Sequence, residues 1–93
     1  MDNITIKNTY SKNGKWKFDV EIGDDSNRQM YSVVLDRDYY IYLTNEKIPA
    51  GQLIQDVFMF LLSHESKEKI ISDFDVRQVK DYFPDFEKDI KVY

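Results

Sequence analysis

The chain reads as an α+β protein: a three-stranded antiparallel meander over residues 1–35, then three or four helices over residues 36–93 packed on one face of the sheet, all within a single domain 1–93. Three observations predict this. Lys15 to Ile22 (KWKFDVEI) alternates strictly, with Trp16, Phe18, Val20 and Ile22 on one side and charged residues on the other, the period of a half-covered strand. After Leu35 the period shifts from that of a strand to that of a helix. Ala50 to His64 then carries apolar residues around most of a helical circumference.

Taken in order, Asn3 to Tyr10 places Ile4 and Ile6 on one face and reads as the first strand. Asn13-Gly14 accepts the positive φ of a tight hairpin turn, so the first two strands should pair antiparallel. The cluster Gly23 to Asn27 (GDDSN) is a second turn. Gln29 to Leu35 follows as a third strand whose two faces are both fairly apolar, which suits the central or most covered position. Asp36 is placed to cap a short helix ending near Leu43, with Leu35 and Tyr40 as its hydrophobic staple. The main helix, Ala50 to His64, has a weak start, because Pro49 offers no side-chain acceptor and Gly51 loosens the first turn. Its apolar girth requires cover from the sheet and from the segments that follow.

Those segments include FDVRQVKDYFPDFEKDI, Phe74 to Ile90. Ser66 is read as the cap of a short helix bearing Ile70 and Ile71. Asp75 is read as the cap of the next helix, with Gln78 completing a capping box and Phe74 and Val79 as the staple. Val76, Val79, Tyr82 and Phe83 form an apolar stripe, Pro84 interrupts it, and Phe86 and Ile90 point inward from a last helical segment.

Composition narrows the function classes. A chain of 93 residues with 42% hydrophobic and 32% charged residues can bury roughly two-thirds of its unfolded surface without a metal or disulfide. The absence of cysteine removes disulfide, thiolate-zinc and thiol-nucleophile chemistry, and fits a reducing cytoplasm. The N-terminal stretch has neither the apolar core of a signal peptide nor the Arg-rich look of a transit peptide. The longest apolar run, Val57 to Leu62, is far short of the roughly 20 residues of a membrane span. A cytoplasmic protein with no membrane partner is expected. Formal net charge is -4, an acidic balance that makes nucleic acid an unfavoured partner.

The pairs Leu35-Asp36, Tyr39-Tyr40 and Leu43-Thr44, then Leu53-Ile54 with Phe58, Phe60-Leu61-Leu62 and Glu65, and finally Phe74-Asp75 and Tyr82-Phe83-Pro84, form a pattern over residues 35–90. This pattern resembles a family of small bacterial and archaeal proteins of unknown function. The resemblance implies the helical order and supplies no catalytic residue. Where that family tends to begin its main helix with Thr-Pro, this chain has Pro49-Ala50.

No catalytic, cofactor or metal set is recognisable. His64 falls at the C-terminal end of the main helix, where a positive or polar side chain suits the helix dipole, and Ser63 beside it points about 100° away. Asp81, Asp85 and Asp89 are spaced by four as hard-cation ligands on one face would be, but Pro84 breaks that face and no calcium-binding loop accompanies it. Asp24-Asp25, Asp73 and Asp75 read as turn and cap residues. The three glycines, 14, 23 and 51, are isolated, so a phosphate loop and nucleotide binding have no support. An enzyme would require Glu65, His64 and Asp73 to meet in a cleft.

The expected function is a non-enzymatic protein-interaction or assembly module. Its partner is an unidentified protein or a second copy of the chain, met at a sheet edge or an uncovered side of the main helix. The alternative is nucleic-acid binding through the basic hairpin Lys7, Lys12, Lys15 and Lys17 near Tyr10 and Trp16, or through a helix-turn-helix drawn over Lys69 to Phe83. Alternation turns Trp16 away from Lys15 and Lys17, and acidic neighbours disfavour the helix-turn-helix.

Overall fold

Asn13 and Gly14, with φ of 54° and 75°, close the hairpin between β1 (Ile4–Lys12) and β2 (Lys15–Asp24), as the Asn-Gly dipeptide dictates. The computed structural model describes residues 3–24 and 26–91. The second turn leads to β3 (Asn27–Asp36), antiparallel to β2 from Asp24↔Asn27 to Lys15↔Asp36. There the Asp24 carboxylate accepts from Ser26 N (3.0 Å), Ser26 Oγ (2.9 Å) and Asn27 N (3.1 Å), which is the turn role expected of it. Asp25 lies outside the described residues.

Among the described residues the sheet has four strands, ordered β1-β2-β3-β4, rather than three. The added strand, β4 (Asp73–Asp75), runs parallel to β3 with Ser32↔Asp73, Val33↔Phe74 and Val34↔Asp75 in register. β3 is therefore central, as its two apolar faces suggest. Its far edge borders fully buried Val33, so its backbone groups there need partners. A three-residue strand has no periodicity to read. Asp75 nonetheless keeps its capping role: its carboxylate accepts from Arg77 N, its own N–H donates to Gln78 Oε1, and both distances are 2.9 Å.

Apart from β4, the elements after β3 supply the layer over one sheet face. Helix α1 (Arg37–Thr44) starts where Asp36 Oδ2 accepts from Tyr39 N at 3.3 Å. Helix α2 (Ala50–His64) has the expected bounds and no side-chain cap at Pro49. A 3-10 turn at Lys67–Lys69 stands where a helix capped by Ser66 was expected, and the Ser66 side chain makes no cap bond there. After β4, a second 3-10 turn (Val76–Gln78) passes into α3 (Val79–Tyr82), and α4 (Phe86–Ile90) follows Pro84. The Lys69 to Phe83 segment therefore contains a strand and is not a helix-turn-helix.

The core forms where Phe18, Val20 and Ile22 of β2 and Tyr31, Val33 and Leu35 of β3 meet Leu53, Ile54, Val57 and Phe58 of α2, all at most 3% exposed. Phe74 and Phe86 close it from the C-terminal segment. Rings stagger through it, with Tyr31 and Phe74 at 5.2 Å and 5.8 Å from Phe58, a range in which tilted and edge-on pairs are favourable. Most of the Phe74 to Ile90 stretch folds back onto the body as expected. The exception within it is Tyr82, expected on the apolar stripe but 63% exposed, and Ile71, just before the stretch, is 51% exposed.

Candidate functional site

Because α3 is only four residues long, it cannot turn all of its apolar stripe inward. Val79 is buried while Tyr82 stands out and Phe83 is half-covered. Between this short helix, the last turns of α2 and the chain leading into β4 lies a groove of about 320 Å³. Leu61, Ile70, Ile71, Phe74, Val79, Tyr82 and Phe83 line it, and Glu65, Lys69 and Gln78 supply its polar groups. Glu65 is half-buried, and among the described residues its carboxylate has no hydrogen-bond or ion-pair partner.

The groove does not assemble a catalytic set. His64 lies outside the lining, its ring packed 4.5 Å from that of Phe60 and 5.2 Å from that of Phe83. Ser63 turns its hydroxyl back to the Phe60 carbonyl at 2.6 Å, and Asp73 belongs to β4. Glu65, His64 and Asp73 therefore do not share a cleft. Asp81, Asp85 and Asp89 are exposed and divided between α3, the Pro84 turn and α4. Among the described residues no three His, Asp or Glu side chains are grouped to hold a metal ion.

The second surface is the sheet face opposite the helices. The ladder between β1 and β2 slips at Lys7: Ile6 pairs with Val20, but Asn8 pairs with Asp19. This bulge inverts the alternation of the rest of β1. Ile4 and Ile6 stay on the helix side, whereas Asn8, Tyr10 and Lys12, which unbroken alternation would have sent inward, emerge on the open face opposite Asp19, Lys17 and Lys15. Trp16 is on the helix side as alternation requires, edge-on to Tyr40 at 5.2 Å with the Arg37 guanidinium 5.7 Å above its ring. Tyr10, not Trp16, is the aromatic on the basic face. The readable signal was that unbroken alternation put Asn8 and Lys12 in the core.

Charge on this face is segregated. Lys12, Lys15 and Lys17 occupy the hairpin end, Asp19, Asp73 and Glu21 lie farther along the strands, and Asp75 stands at the β4 end of the Lys17–Val34 row. Asp36, the carboxylate nearest the basic end, is engaged by Arg77 Nη2 at 2.8 Å. That bond holds the Asp36 carboxyl below its ordinary range and raises the Arg77 guanidinium further. Arg77 also lies 4.7 Å from the Tyr39 ring centroid. Among the described residues Lys7, Lys12, Lys15 and Lys17 form no ion pair with a carboxylate.

Among the described residues no helix is long and apolar enough to cross a membrane, and no buried side-chain nitrogen or oxygen lacks a hydrogen-bond partner. Comparison with protein-family models, curated proteins and solved structures returned no match.

Proposed function

We propose that this chain is a non-enzymatic interaction module of the cytosol whose groove between α2 and α3 receives an apolar segment of another protein, with a Lys or Arg of that segment meeting Glu65. The observation that carries this reading is the groove itself: its lining is mainly apolar, and two of the lining side chains, Ile71 and Tyr82, remain more than half exposed. Exposed aromatic and aliphatic groups beside a concave apolar surface are the usual anchors of a protein contact. Glu65 selects the charge, because a half-buried carboxylate without a partner gains most from a cation brought to it. The cytosolic setting agrees with a chain that has no cysteine.

Peptide display on the immobilised protein tests the reading. It should select short segments with apolar anchors and a Lys or Arg. Ile71→Asp should abolish selection, and Glu65→Lys should exchange the basic preference for an acidic one. Met59→Asp, a change at a residue 61% exposed on α2 and outside this groove, should leave selection intact. Selected peptides that bind the Ile71→Asp variant unchanged would refute the groove as the contact. Sedimentation of the free protein separates the other occupant, since a dimer dissociated by Ile71→Asp would place a second copy in the groove.

A further inference from the structure

The geometry points to a second, independent binding site: a single-stranded nucleic acid crossing the open sheet face at the hairpin end, with a base stacked on Tyr10 and phosphates on Lys12, Lys15 and Lys17. Four features favour this occupant. First, the Lys7 bulge brings a 53%-exposed tyrosine directly opposite Lys17; directly paired residues share a face. Second, Lys12 stands directly opposite Lys15, a juxtaposition of like charges that sheet formation disfavours and that a bound polyanion relieves. Third, Asp36 is already engaged by Arg77, so the nearest carboxylate is partly compensated. Fourth, half-buried Val34 lies on the same cross-strand row as Tyr10 and Lys17, across from Lys17 on β3. It extends the floor on which a base rests.

The acidic residues set the path: Asp19, Glu21 and Asp73 lie farther along the face, and Asp75 closes the Tyr10–Lys17–Val34 row at β4. They repel phosphate, so the strand crosses β1 and β2 near the hairpin instead of following their length. The net charge of -4 opposes approach at long range, but contact is governed by the local field, which salt confines to about 10 Å. A planar aromatic flanked by lysines matches alternating bases and phosphates, and stacking of this kind tolerates any base.

The test uses a fluorescent single-stranded deoxythymidine oligomer of about ten nucleotides, followed by anisotropy at low salt. Wild type should bind. The logarithm of its association constant should fall with the logarithm of salt at a slope of about -2, as expected for roughly three phosphate contacts. Tyr10→Ala should weaken binding about tenfold, and Tyr10→Trp should restore it. Lys15→Glu with Lys17→Glu should abolish it, and the milder pair Lys15→Gln with Lys17→Gln should weaken it while sparing the fold, checked by circular dichroism. Lys47→Glu with Lys88→Glu, an equal charge change elsewhere, should have little effect. The site is refuted if the oligomer does not bind at low salt, or if the remote charge pair weakens binding as much as the hairpin pair. Unchanged binding by Tyr10→Ala, with inorganic polyphosphate competing equally, would show mere charge attraction and likewise overturn it. None of these outcomes depends on the α2–α3 groove.

Discussion

The Tyr39 hydroxyl donates to Glu87 Oε2 at 2.7 Å, joining α1 to the first turn of α4. Tyr39 is 3% exposed, and burial together with the bond to Glu87 raises its pKa above the ordinary tyrosine value. Tyr39→Phe should therefore cost about 1.5–3 kcal/mol at neutral pH, the range for a hydrogen bond to a charged acceptor. Because the folded pKa lies above the unfolded one, this contribution is fully present below about pH 10 and is lost as pH rises beyond it. Denaturant unfolding from pH 8 upward should show a steeper alkaline decline for wild type than for Tyr39→Phe.

The acid side is governed by carboxylates held in their charged form. Asp36 is depressed chiefly by the Arg77 hydrogen bond, and Asp24 chiefly by the Ser26 hydroxyl, with the backbone N–H groups of Ser26 and Asn27 adding to it. Both folded pKa values lie below the unfolded value of about 3.9, so their contribution is present above that pH and fades as pH falls through the folded values. Thermal unfolding measured from pH 6 down to pH 2 should therefore show Tm falling less for Asp36→Asn than for wild type.

Two glycines should respond oppositely to alanine. Gly23 has φ of +126°, and a Cβ there would sit 2.0 Å from the Asn27 carbonyl oxygen, a backbone atom that cannot step aside. Gly23→Ala should cost at least about 2 kcal/mol. Gly51 lies in the first turn of α2, and a Cβ there would meet only Ile6 Cδ1, at an ordinary contact of 3.5 Å. Gly51→Ala should stabilise by roughly 0.5–1 kcal/mol, through helix propensity and a less free unfolded chain. Urea midpoints of the two variants should move in opposite directions.

The face of α2 has its own test. Phe58 is 0% exposed and packs against the rings of Tyr31 and Phe74. Phe58→Asp would bury a charge without a partner and should prevent folding, whereas Phe58→Ala should cost about 3–5 kcal/mol. Gln55, half-buried on the polar strip, should accept Asp within about 0.5 kcal/mol. Circular dichroism and thermal melts of the three variants provide the comparison.

Strictly local rules carry much of this architecture from sequence to structure. The alternation in Lys15 to Ile22, the positive-φ pair Asn13-Gly14, the Asp36 cap and the girth of Ala50–His64 each depend on a few neighbouring residues, and each was legible in order along the chain. The tertiary structure alone decided three things. The free edge of β3 needed backbone partners, so Asp73–Asp75 became a parallel strand although three residues have no period. The shortness of α3 left Tyr82 outside while Val79 went in, and this shaped the groove. The bulge at Lys7 arose because regular pairing would have buried Asn8 and Lys12. One slipped residue reverses every side chain beyond it, and so placed Tyr10 among the lysines.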